Sequence, residues 1–236
     1  MTLSTAVADA AVEVFKAGLR GELIEAGAPG YDAARAVWNA MIDKRPGLIV
    51  RCAGVGDVID AVNFARENGL LLAVRGGSHS AAGLAMCDGG IVLDLSPMKG
   101  VRVDPRARTV QAQGGLLWAD FDRETQAFGL ATTGGTVSDT GLGGLTLGGG
   151  LGWLMGKHGF SCDNVLSVDV VTADGQLVTA SANEHADLFW ALRGGGGNFG
   201  VATSFEFQLH PVGPEVLGGL LIYPLEQARE IGRAHV

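Results

Sequence analysis

A chain of 236 residues is long enough to bury a sizeable core, as one large domain or as one domain plus part of another. Its 17 Lys and Arg stand against 25 Asp and Glu, and the resulting net charge of -8 presents no basic field to a nucleic acid. Mean hydropathy is +0.26, yet no stretch approaches the roughly 18 uninterrupted apolar residues of a membrane span, so neither nucleic acid nor membrane is an expected partner.

Met1 to Ala6 carries no basic segment and Asp9 interrupts the apolar run that follows, so no signal peptide is read and the cytoplasm is the expected compartment. Apolar residues at helical spacing predict helices over residues 8–26 and 32–43, broken by Gly27-Ala28-Pro29-Gly30; residues 1–43 are read as a helical lead-in. Leu48-Ile49-Val50 reads as a buried strand. Asp57 to Asn68 reads as an amphipathic helix stopped at Gly69, and Leu71 to Val74 as the next strand. A strand run follows at 91–95, 101–103 and 109–113, with Asp104-Pro105 turning the last two into a hairpin. Leu116 to Phe128 is expected to be helical. Gly134 to Gly159 is dense in glycine, and Thr146 is taken as a helix start. Val168 to Thr172 and Gln176 to Thr179 form a second expected hairpin, Asn183 is read as the cap of a helix over 184–192, and Val201 to Leu209 alternates as a strand. A last strand is predicted at Leu220 to Tyr223. Ile231 to Val236 matches one reading frame of a common sequencing adapter and is read as an appended tail.

Arg75-Gly76-Gly77-Ser78-His79-Ser80 carries the most chemistry. A strand feeding a glycine turn brings main-chain N–H groups close to a phosphate, and an adjacent neutral histidine is a competent nucleophile. The bland reading is a surface turn with a solvated histidine. Cys52, Cys87 and Cys162 are odd in number and lack C-x-x-C spacing, and the five histidines lack metal-ligand spacing, so no disulfide framework and no metal site is read.

Farther along come Gly141-Leu142-Gly143-Gly144 with Leu147-Gly148-Gly149-Gly150-Leu151-Gly152, then Cys162-Asp163-Asn164, then the run Asp187 to Gly200 with Gly194-Gly195-Gly196-Gly197-Asn198-Phe199-Gly200. In this order these motifs resemble the FAD-binding domain of the vanillyl-alcohol oxidase and p-cresol methylhydroxylase superfamily, nearest to the berberine bridge enzyme-like and 6-hydroxy-D-nicotine oxidase-like flavoproteins. The resemblance spans about Arg45 to Val212. It implies an α+β, two-subdomain FAD-binding domain over residues 44–213, the start of a truncated substrate domain at 214–230, and the tail at 231–236.

The resemblance further implies FAD joined through His79 to the flavin 8α-methyl group, with non-covalent packing on the ring as the alternative. Gly76, Gly77 and Ser78 would cradle the pyrophosphate. Arg75 would add charge there or pair with a core carboxylate. Some relatives carry a second tether from a cysteine eleven positions before the Gly-Gly-Gly run, and that place holds Val137, so a single tether is expected. Val137-Ser138-Asp139-Thr140-Gly141 still reads as a cofactor loop, with Asp139 as a turn former the other option. Gly144 and Leu147 join this set. Gly148, Gly149, Gly150 and Gly152 either pass against the flavin or pack helix on sheet, and Asn164 either assists the site or bonds locally. Asn198, Gly200 and Val201 are expected near the adenine or ribose, whereas Phe189 and Trp190 are read as core.

The implied activity is that of an FAD-linked oxidoreductase, taking hydride from a C–H beside O or N of an alcohol, sugar or amine onto flavin N5, with oxygen or another molecule as electron acceptor. No catalytic residue is assigned. A flavin-binding fragment without turnover is the competing reading. A NAD-type fold is suggested by Gly195-x-Gly197-x-x-Gly200, but that run follows a helix and precedes a strand, the reverse of the dinucleotide motif.

Overall fold

Two sheets of different character organise the computed structural model, which describes residues 7–234; Met1 to Ala6, expected not to form a leader, and His235 and Val236 of the expected tail lie outside the described residues. The first sheet has the order β1-β2-β4-β3, from Glu22–Glu25 (β1), Leu48–Arg51 (β2), Leu72–Arg75 (β3) and Ile91–Asp94 (β4). β2 and β3 run parallel to β4, and β1 pairs antiparallel with β2. β2 and β4 are apolar almost throughout because both faces are covered. Helix α3 (Val55–Glu67) lays Val58, Ala61, Val62 and Ala65 on one face, and Tyr31, Met86 and Cys87 fill the other.

The second sheet is wholly antiparallel, in the order β5-β6-β10-β8-β9, from Val101–Asp104 (β5), Thr109–Gln113 (β6), Val165–Val171 (β8), Leu177–Ser181 (β9) and Val201–Gln208 (β10). Its core holds Trp118 and Phe121 of α4 (Trp118–Gln126) against Phe207 in edge-to-face contacts, with centroids 5.2 to 6.3 Å apart. Val171 and Val201, paired at the end of β8 and the start of β10, also pack into the core under α3, so the two subdomains share packed side chains. A two-stranded pair, β7 (Leu130–Ala131) with β11 (His210–Pro211), closes the far side.

The alternating α+β pattern matches the sequence expectation, including both hairpins, but several elements differ. The helix predicted over 8–26 ends at Gly18 as α1 (Asp9–Gly18), and the chain turns extended at Leu19. The Asp57 carboxylate accepts N–H bonds from Arg20, Gly21 and Ala53 at 2.7 to 3.0 Å, which seats β1 beside β2 and lets Leu23 and Ile24 bury on opposite faces. The helix predicted over 32–43 is only one turn, α2 (Tyr31–Arg35); beyond it Trp38 N–H donates to the Ser78 carbonyl at 3.2 Å and draws the chain toward the glycine turn.

Thr146 does not start a helix. It lies inside α5 (Leu142–Leu147), which the apolar Leu142 opens by burying completely. Asn183 does not cap α7 (Ala186–Leu192): the Ser181 hydroxyl accepts the amides of Asn183 and Glu184, and His185, at φ 48°, turns the chain into the helix. Leu220 to Tyr223 is no strand and is exposed, with no pairing strand among the described residues. Trp190, read as core, is 78% exposed, while Phe189 is buried.

Candidate functional site

The C-terminal ends of β3 and β4 face the start of β10 across a cleft of about 960 Å³. Its floor is the glycine turn after β3, and its walls come from α3, α5 and the segment 196–202. Ser78 sits in the turn at φ 64°, a left-handed conformation rare for a non-glycine residue. Among the described residues, the N–H groups of Gly76, Gly77, Ser78, His79 and Ser80 donate to no protein acceptor. Five successive main-chain donors without partners form the kind of nest that receives an anion.

A second glycine loop braces the turn. A Cβ on Gly77 would lie 2.2 Å from the Gly141 nitrogen, and one on Gly141 would lie 2.3 Å from the Gly77 nitrogen. Neither residue tolerates a side chain, so the two backbones touch. The loop around Gly141 is itself anchored to the start of α4, where Trp118 N–H donates to the Thr140 carbonyl and Ala119 N–H to that of Ser138. Over the turn, the Trp38 indole stacks on the His79 imidazole with centroids 5.2 Å apart, and Asp139 Oδ1 stands 3.5 Å from His79 Nε2.

Of the residues singled out in the sequence, Gly76, Gly77, Ser78, His79, Ser80, Thr140, Gly141, Gly144, Leu147, Asn198, Gly200 and Val201 line the cleft. Val137, Ser138 and Asp139 lie on its rim loop. Arg75 turns away, donating to the Ala34 carbonyl and placing Nε 4.0 Å from the buried Asp94 carboxylate, so its place is with the core carboxylate. Gly148, Gly149, Gly150 and Gly152 stand outside the cleft lining; Gly150 packs on Ser161 and Gly152 on the Gly134 carbonyl. Asn164 bonds locally, donating to the carbonyls of His158 and Phe160.

The sequence reading missed Arg66, Leu70, Leu72 and Ala173, which line the cleft from α3 and the neighbouring strand ends, and Trp38. The inward stripe of α3 could have revealed the first group. Trp38 gave no local signal, since only the fold brings it over His79.

Behind the cleft, His158 of α6 (Met155–His158) stacks on His210 with centroids 3.8 Å apart, and His210 Nε2 meets Asn164 Oδ1 at 2.7 Å. Burial depresses both imidazoles, and the neighbouring Lys157 lowers them further. Cys52 is sealed in the first core, its thiol pushed up to about 12 chiefly by burial, so it is no nucleophile. Among the described residues, no group of three or more His, Cys, Asp or Glu could hold a metal ion, and no helix is long and apolar enough to cross a membrane.

A mostly parallel sheet and an antiparallel sheet clasping a glycine-floored cleft define a nucleotide-binding flavoprotein domain, and the family model described as FAD binding domain matches residues 46–181; the chain belongs to that family. It is 40% identical over 205 residues to (R)-6-hydroxynicotine oxidase of Paenarthrobacter nicotinovorans, covering 87% of this chain and 45% of that protein. It is 41% identical over 223 residues to the FAD-linked oxidoreductase pgmH of Aspergillus terreus, covering 93% of this chain and 45% of the relative.

Among solved structures, 6-hydroxy-D-nicotine oxidase from Arthrobacter nicotinovorans superposes with a TM-score of 0.81 at 41% identity, over 82% of this chain and 43% of that one. Glucooligosaccharide oxidase from Acremonium strictum, described as showing a novel flavinylation, superposes at 0.80 with 33% identity, over 84% of this chain and 42% of the other. The chain thus spans a little under half the length of the relatives it matches.

FAD suits this cleft. Its volume of about 960 Å³ reaches the upper end of ligand pockets, roughly 300–1,000 Å³. The unpartnered amides of 76–80 offer donors to a diphosphate, and the Gly77 to Gly141 clasp leaves the cleft floor as bare backbone.

Proposed function

We propose that the protein is an FAD-linked oxidoreductase whose flavin is tethered once, through His79. The run of unpartnered amides ending beside the His79 imidazole at the cleft floor carries this reading. Bound FAD would supply two-electron chemistry, accepting hydride from a C–H next to O or N. Gly76, Gly77 and Ser78 would hold the diphosphate through main-chain N–H groups. Asn198, Gly200 and Val201 would bound the nucleotide end, together with Arg66, which already donates to the Ala173 carbonyl at 3.4 Å.

His79 lines the cleft, and Trp38 stacks on one face of its ring. A related glucooligosaccharide oxidase is described with a 6-S-cysteinyl, 8α-N1-histidyl FAD. Val137 occupies the position expected for a second, cysteine tether and offers no thiol, which supports a single link. Relatives act on a nicotine derivative and on oligosaccharides, which supports a small alcohol, sugar or amine as substrate and oxygen as one acceptor. The substrate contacts would come from sequence matching the uncovered half of the relatives, and a cytoplasmic location is part of the same reading.

The test is acid precipitation of flavin-loaded protein made from the full reading frame. Yellow colour in the pellet, lost in His79→Ala while free FAD still binds, is expected. A colourless wild-type pellet sinks the covalent reading. Failure of the protein to bind FAD at all would sink the functional one.

A further inference from the structure

We propose that Asp139 is the positioning residue for His79: its carboxylate holds the imidazole proton on Nε2 and leaves Nδ1 as the nucleophile toward the flavin 8α carbon. The inference rests on the covalent reading above.

The placement is built by backbone. His79 follows Gly77 by two residues and Asp139 precedes Gly141 by two, so the pair stands beside the place where the Gly77 and Gly141 backbones meet. The Asp139 turn is closed by Thr140 N–H donating to the Val137 carbonyl at 3.1 Å and is pinned to α4 through Ser138 and Thr140. Among the described residues the Asp139 carboxylate meets no partner other than His79, at 3.5 Å. That separation is just beyond a good hydrogen bond, as catalytic pairs often are before their ligand arrives.

Trp38 stacks on the imidazole with its plane 22° away, which limits ring rotation and leaves the Asp139 contact to choose the tautomer. Neutral imidazole has one protonated and one basic nitrogen, and the partner of the first decides which is the second. Asp139 is exposed, so the pair adds little to stability, but orientation does not require a strong bond.

In the attachment step, His79 Nδ1 forms a bond to the 8α carbon as one methyl C–H breaks and its proton leaves to solvent. Alkylation makes the ring cationic, and Asp139 receives or relays the Nε2 proton. The one electron pair released passes to the isoalloxazine with two protons, and dioxygen then takes up that pair and two protons to give one hydrogen peroxide for each link formed.

The test uses protein from the full reading frame, purified free of flavin and incubated with FAD in air. Covalent flavin is followed over time in acid-precipitated protein, non-covalent affinity by fluorescence quenching, and the linked nitrogen by NMR of the flavinyl peptide. Asp139→Ala should slow attachment about 10- to 100-fold, the usual cost of losing an orienting partner, and should give a mixture of Nδ1 and Nε2 links, with FAD affinity within about threefold of wild type. Asp139→Asn, whose amide oxygen still accepts from Nε2–H, should keep the Nδ1 link. Asp139→Leu, similar in shape but with no acceptor, replaces the alanine variant if that one impairs flavin uptake. Attachment by the alanine or leucine variant at the wild-type rate and only through Nδ1 overturns the proposal. A wild-type protein that attaches no flavin overturns the covalent reading and this inference with it, whereas a covalent wild type with an unaffected variant overturns only the role of Asp139.

Discussion

Two glycine-rich stretches look alike as sequence and act differently in the fold. At 76–80 the backbone is turned toward the cleft, five amides are left without protein acceptors, and Gly77 meets the backbone of Gly141. At 148–152 the backbone is turned into the protein: Gly149 and Gly150 adopt φ of 105° and 85°, their carbonyls accept from Cys162 and Ser161, and Gly152 presses on Gly134. Glycine density reports that a chain comes close to something. Which neighbour it approaches, cofactor or protein, depends on the direction the backbone faces.

The comparison breaks most visibly at Gly77. Gly77→Val forces a branched side chain into the Gly141 backbone, and flavin uptake measured by absorbance should fall by about 100-fold, at the upper end of the 1–3 kcal/mol usual for overpacking because both loops must part. Normal flavin loading would show that the loops are free to separate.

Gly152→Val should instead unfold the protein without touching the cleft. A Cβ there would sit 1.9 Å from the Gly134 carbonyl oxygen, a clash expected to cost about 3 kcal/mol, and at roughly 2–4 °C per kcal/mol the thermal midpoint should drop by roughly 10 °C. Flavin affinity of the folded protein should stay near wild type. A large loss of affinity with an unchanged midpoint would move the second stretch into the cofactor site.

Gly149→Ala separates strain from crowding, since its Cβ would meet nothing within 4 Å but the residue must hold φ 105°. A loss of roughly 1–2 kcal/mol in urea unfolding, with flavin occupancy unchanged, is expected. Reduced occupancy at unchanged stability would contradict it.

The smallest effect concerns the histidine pair that follows the second stretch. Both imidazoles lie below their ordinary 6.5 in the folded state, so the unfolded chain binds more protons as pH falls through that value. Their contribution is complete above pH 6.5 and is lost on acidification toward and below the depressed folded values. Stability from urea unfolding should therefore decline between pH 7 and pH 5, and His210→Gln should flatten that slope. An equal slope in the variant would place the acid sensitivity elsewhere.

Local pattern alone determined the strands of both sheets other than β1, α3, the two hairpins and the glycine turn carrying His79, because apolar periodicity and turn chemistry act over a few residues. Tertiary structure decided the rest. β1 is a strand rather than the end of a helix because Asp57, more than thirty residues away, takes the amides of Arg20 and Gly21. Arg75 belongs to Asp94 and not to the cleft because the parallel register of β3 and β4 sets the two side by side. The meeting of Trp38, His79 and Asp139 draws on three distant segments, and nothing in the spacing of those residues encodes it. Residue type and periodicity reveal what a segment prefers to be, whereas the partner a backbone group or side chain finds depends on long-range packing that no local window contains.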